Sequence, residues 1–141
     1  MMPKLLVAPL AAGLALSPAV AAEQAPAAAP FVGRVDPAIF HKTPLEERKI
    51  GATVDPAAVR LITPGVDKFT IYRLIGPPHF MEGITRRWNY VLFFPVAPGS
   101  VERVRCRVEI RFIRERGHYD VTVSDVIWQD QACADRVAAA R

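Results

Sequence analysis

The side chains with the most chemical potential fall in "LIGPPHFMEGITRRWNY", Leu74 to Tyr90. His79 and Glu82 are the residue types of a general base and of a carboxylate that orients one. A base needs a group to activate. No Ser or Cys nucleophile sits in a recognisable turn nearby, and Cys106 lies in an alternating run that turns it towards a core. The same stretch has a structural reading. Pro77 and Pro78 fix the backbone, while Gly76 and Gly83 allow conformations that other residues avoid. Phe80 and Trp88 then pack, and His79 and Glu82 satisfy loop backbone. On this reading the stretch is a connector between a helix and a strand, and no catalytic residue is assigned.

Other chemistry is poorly supplied. His41, His79 and His118 lack the spacing of a metal site, and no paired motif such as H-x-x-x-H occurs. No phosphate-cradling glycine loop is present, "PGVDKF" being too short for one. Asp120 and Asp125 flank the last strand as turn and bulge residues. No cofactor or metal is expected.

Charge is more informative. The formal net charge is +4, but between Arg86 and Arg116 there are eight arginines against three glutamates. Arg103, Arg105, Arg107 and Arg111 alternate with apolar residues and so share one face of a strand. Such a row is either a solvated face that discourages edge pairing, or a positive strip for anionic lipid, lipopolysaccharide or peptidoglycan. Nucleic acid is not an expected partner of an exported protein.

The reading of export comes from the first residues. Lys4, the apolar "LLVAPLAAGLAL" and the small residues "AVAA" make 1–22 a cleavable secretory signal. No Cys lies near the cleavage point to carry a lipid, so the mature chain is expected in the periplasm, or peripheral to the outer membrane. In that compartment Cys106 and Cys133 either join or remain as a buried and an exposed thiol.

The elements that must position these residues follow in order. "EQAPAAAP" is a disordered leader. Phe31 to Val54 lacks clean periodicity and is expected as an irregular arm, with a helical turn near Glu46 to Ile50. Residues 23–54 are therefore set apart from a folded unit over 55–133, and 134–141 is a tail. Asp55 and Pro56 open a short helix that Pro64 and Gly65 stop. Asp67 caps a second helix, with Ile71, Leu74 and Ile75 as its apolar stripe and Gly76 and Pro77 as its end. The period then changes to two. Trp88, Tyr90, Leu92 and Phe94 share a face; so do Val104, Cys106, Val108, Ile110 and Phe112. The last strand, Val121 to Gln129, changes phase at Ser124–Asp125, which predicts a bulge. The expected fold is α+β: two short helices packed on a three-stranded antiparallel meander in two layers.

"TPGVDKFTIYRLIGPPHFMEGITRRWNYVLFF" resembles the small-protein-A/outer-membrane-lipoprotein-A (BamE-like) family. Gly65, Asp67, Ile71, Leu74, Ile75, Gly76, Pro78, Trp88 and Tyr90 fall in step with its motif. His79, Phe80, Glu82, Gly83, Asn89 and Cys106 match the version found ahead of OmpA-like domains. The likeness covers about Val54 to Trp128. The family's lipid-bearing Cys is absent. The resemblance implies a non-enzymatic binding or scaffold module in outer-membrane protein assembly or maintenance, with envelope proteins such as the β-barrel assembly machine as partners. The alternative is an inhibitor of a periplasmic enzyme, since β-lactamase inhibitory proteins share a two-helix, antiparallel-sheet architecture.

Overall fold

Capping chemistry and alternation place most of the elements. A computed structural model describes residues 31–41, 49–80 and 85–141. The signal 1–22, the leader 23–30, most of the helical turn near Glu46–Ile50, and Glu82 and Gly83 lie outside these residues. Helix α1, Pro56–Arg60, starts where the Asp55 side chain accepts from Ala57 N–H. Helix α2, Lys68–Ile75, is capped by Asp67, which accepts from Thr70 N–H at 3.0 Å and Thr70 O–H at 2.6 Å. These bonds, the hydroxyl's first, hold the Asp67 carboxyl below its usual pKa. Gly76, at φ 82°, closes α2 in a left-handed conformation that favours glycine.

Three long strands follow. They are β3 (Arg87–Pro95), β4 (Arg103–Ile113) and β5 (Thr122–Trp128), paired antiparallel in sequence order. The phase change in β5 is a bulge: Arg111 pairs with Asp125 but Phe112 with Val123, leaving Ser124 extra. This returns Val126 and Trp128 to the face of Val123. Val59, Ile62, Ile71, Ile75, Trp88, Tyr90 and Phe94 then meet the inward residues of β4 and β5 in one core.

The expected three-stranded meander with two helices is incorrect. The described residues form a five-stranded mixed sheet, ordered β1 (Arg34–Val35), β5, β4, β3 and β2 (Ala52–Thr53), with three α-helices. The added strands are β1, parallel to β5, and β2, parallel to β3. Both come from the segment read as an irregular arm. At two residues each, neither is long enough to display alternation. The third helix, α3 (Gln131–Ala139), takes in most of the segment read as a tail. It buries Cys133, Ala134 and Val137 in the same core. The Cys106–Cys133 disulfide joins it to β4. Arg60 also donates to the Ala140 carbonyl, tying α1 to the end of α3.

The arm is held by specific bonds. Trp128 Nε1–H donates to the Val32 carbonyl at 2.6 Å, and Asp36 N–H to the Trp128 carbonyl at 3.0 Å. Arg34 pairs with Asp36 and Asp125, each at 3.0 Å. Gly33 sits at φ 86°, and a Cβ there would lie 2.1 Å from the Val126 carbonyl oxygen. Gly33→Ala should therefore lift the arm from β5, with a loss above about 1 kcal/mol. Urea unfolding followed by tryptophan fluorescence would register it; an unchanged midpoint would mean that the arm contributes little.

Candidate functional site

The Gly76–Tyr90 region is built around the free edge of β3. That edge carries backbone N–H and C=O groups that need partners. The connector supplies them. Asn89 O accepts from His79 N–H at 2.9 Å and Phe80 N–H at 3.1 Å, and Asn89 N–H donates to Phe80 O at 3.0 Å. One residue pair further on, the imidazole continues the ladder: Val91 N–H donates to His79 Nδ1 at 3.0 Å. Beyond it β2 takes over, and Val54 N–H donates to Phe93 O at 3.2 Å. Tyr90 O–H donates to the Gly76 carbonyl at 3.0 Å, fastening the end of α2 to β3.

His79 thus uses as an acceptor the nitrogen that a base would need. The bond requires a neutral ring with its proton on Nε2. Its ring also meets Tyr90 edge-on, with centroids 5.8 Å apart. Burial pushes the His79 pKa below the usual value. The unfolded chain then takes up a proton before the folded one does. Stability should be complete above about pH 6.5 and fall as the pH drops from there through the folded pKa. His79→Ala should remove this dependence and cost far less than loss of a core aromatic. Urea midpoints of both proteins across pH 5 to 8 would test this; identical slopes would exclude His79 as the titrating group.

The other motif residues have structural placements. Trp88 is buried, with ring centroids 4.9 Å from Tyr72 and 4.6 Å from Phe112. Gly65 N–H donates to Val123 O at 2.8 Å, so the turn between α1 and α2 covers the start of β5. Pro78 and Phe80 are half-buried in the connector. Among the described residues no cluster of His, Cys, Asp or Glu is arranged to hold a metal ion. No helix of the described residues is long and apolar enough to cross a membrane.

The arginine row lies on the sheet face opposite the core, as its alternation requires, but the face is not bare. Phe40 lies over the Arg107 guanidinium, 5.2 Å from ring centroid to Cζ, and Arg107 Nη1 donates to the His41 carbonyl at 2.5 Å. Arg111 Nε donates to Glu109 Oε1 at 2.6 Å, and Asn89 Nδ2 donates to Oε2 of the same carboxylate at 3.3 Å. Arg105 is half-buried, and its Nε and Nη2 have no hydrogen-bond partner among the described residues. Val91, Glu109 and Ile127 are buried on this side. Of the four arginines, only Arg103 is exposed. Sequence reasoning missed this cover because Phe40 and His41 lie in the arm, where no periodicity marks them.

No protein-family model matches the chain, and no curated protein matches it.

Proposed function

We propose that the chain is a non-enzymatic binding or scaffold module of the cell envelope, acting from the periplasm in outer-membrane protein assembly or maintenance. The observation that carries this reading is the Val91 N–H bond to His79 Nδ1. It commits the strongest catalytic candidate to closing a strand edge. The residues that resemble the small-protein-A/outer-membrane-lipoprotein-A motif include one bonded unit, with Tyr90 on Gly76 and His79 on β3, which supports this reading. The disulfide fits an oxidising compartment, and neither cysteine is left as a thiolate nucleophile.

The test is cross-linking of the tagged full chain in its native envelope, followed by identification of what co-purifies. Subunits of the β-barrel assembly machine are expected. Recovery of a single soluble enzyme would instead favour the inhibitor reading.

A further inference from the structure

One end of the sheet gathers exposed cationic and apolar side chains that the fold does not use. Backbone pairings define it. Asp67, at the start of α2, bridges Thr122; Thr122 pairs with Ile113; and Phe112 N–H donates to the Arg86 carbonyl at 2.9 Å. The beginnings of α2, β5 and β3 and the end of β4 therefore lie in one row. From this row projects the β4–β5 hairpin, whose residues 114–120 are all exposed. Exposed Arg86, Arg87, Arg114 and Arg116 stand here with half-buried Lys68, whose ammonium lies 5.0 Å over the Phe69 ring, against Asp67, Glu115 and Asp120. Among the described residues, Arg86, Arg87, Arg114 and Arg116 make no side-chain hydrogen bond or ion pair. This contrasts with Arg107 and Arg111 on the sheet face.

The apolar content is equally unusual. Tyr119 is 94% exposed, with Ile113 at 48% and Phe69 at 50%. A tyrosine in water at the end of a hairpin contributes nothing to the core. At a bilayer interface its ring meets acyl chains while its hydroxyl stays among headgroups. Planar guanidinium groups pair with phosphate through two hydrogen bonds. Arg86 adds backbone strain, holding φ 53° as a non-glycine residue immediately before β3.

We propose that this end of the sheet, centred on Tyr119, Arg114 and Arg116, docks on the phosphate-bearing surface of a bilayer. Charge complementarity selects the occupant: at this projecting end the arginines and Lys68 outnumber the carboxylates and stand beside exposed apolar side chains, which suits a plane of phosphates. The inference goes beyond the scaffold role, because it names a lipid surface and not a protein partner. It also moves anionic contact away from the engaged arginine row.

The test is co-sedimentation of the full-length mature chain with vesicles of equimolar phosphatidic acid and phosphatidylcholine. Pure phosphatidylcholine vesicles are the comparison. The wild-type chain should bind the anionic vesicles and not the neutral ones, and lose binding as salt rises. Arg114→Gln with Arg116→Gln should lower partitioning about 25-fold, at about fivefold per arginine. Tyr119→Ser should weaken binding at every salt concentration. Arg103→Gln, compared with Arg114→Gln alone, is the charge-matched control and should retain binding. Arg103 lies about 27 Å along β4 from Arg111 at about 3.4 Å per residue, well beyond the screening length of about 8 Å at physiological salt. All substituted positions are exposed, and circular dichroism would confirm that each variant is folded.

The proposal falls if the wild type ignores anionic vesicles, or if the control loses as much binding as Arg114→Gln alone. Competition by soluble glycerol phosphate would indicate a phosphate pocket, also against it. Equal retention on immobilised polyglutamate would point to an acidic protein as the partner and overturn the lipid assignment. Loss of the lipid contact with assembly-machine partners still recovered would leave the scaffold role standing.

Discussion

Trp88→Ala should cost roughly 3–5 kcal/mol, the usual loss for a buried large aromatic. The ring sits where α2 meets the sheet, against Tyr72 from the helix and Phe112 from β4. No described neighbour is placed to refill it: Ile71 and Ile75 are already buried in the same core, and Phe112 is fixed by its strand. A domain of this size has a total stability of about 5–15 kcal/mol. The urea midpoint should therefore fall by about a fifth of its value or more, while Trp88→Phe keeps an aromatic contact and loses much less. A Trp88→Ala midpoint within error of wild type would remove the α2–sheet contact from the account.

Reduction of Cys106–Cys133 should be comparably severe. The bond joins residues 27 apart in sequence. Releasing that loop in the unfolded chain is worth about 3.5 kcal/mol in the chain-entropy model. For a domain of about a hundred residues this corresponds to a drop in melting temperature on the order of 15–25 °C. The first element to loosen should be α3, because it is a single short helix whose attachment runs through Cys133, Ala134 and Val137. Arg136, which donates to the Pro95 and Val96 carbonyls at 3.5 and 3.3 Å, is a weaker tie. Melting curves with and without reductant would measure the effect. A shift of only one or two degrees would mean that apolar burial alone keeps α3 in place.

The elements legible in the sequence are those with long, regular signals. β3 and β4 alternate over nine and eleven residues, and the two helices announce themselves by Asp55 and Asp67 caps. The bulge in β5 was visible as a phase error, since Val123 and Val126 cannot share a face without an extra residue. What escaped was short or weakly patterned. β1 and β2 are two residues each, and their parallel pairing joins segments far apart in the chain. Nothing local at Arg34 or Ala52 encodes those contacts. α3 buries a cysteine, an alanine and a valine, so its apolar face is small, and its Asp130 cap makes no side-chain bond.

The candidate site was legible to the same degree. Proline and glycine around His79 indicated a rigid connector, but not that Nδ1 would serve Val91. Alternation placed the arginine row on the outer face, but not Phe40 above it. The junction of the β4–β5 hairpin with Arg86 and Lys68 at one end of the sheet needed the strand register.

The central claim is that His79 Nδ1 is committed to closing the edge of β3. Nitrogen-detected NMR of the His79 ring tests it most directly. The account predicts a neutral imidazole above about pH 6.5, protonated on Nε2, with Nδ1 coupled through a hydrogen bond to the Val91 amide. That amide should exchange slowly, and its protection should fall as the ring is protonated. A ring carrying its proton on Nδ1, together with a rapidly exchanging Val91 amide, would contradict the account and return His79 to the list of candidate bases.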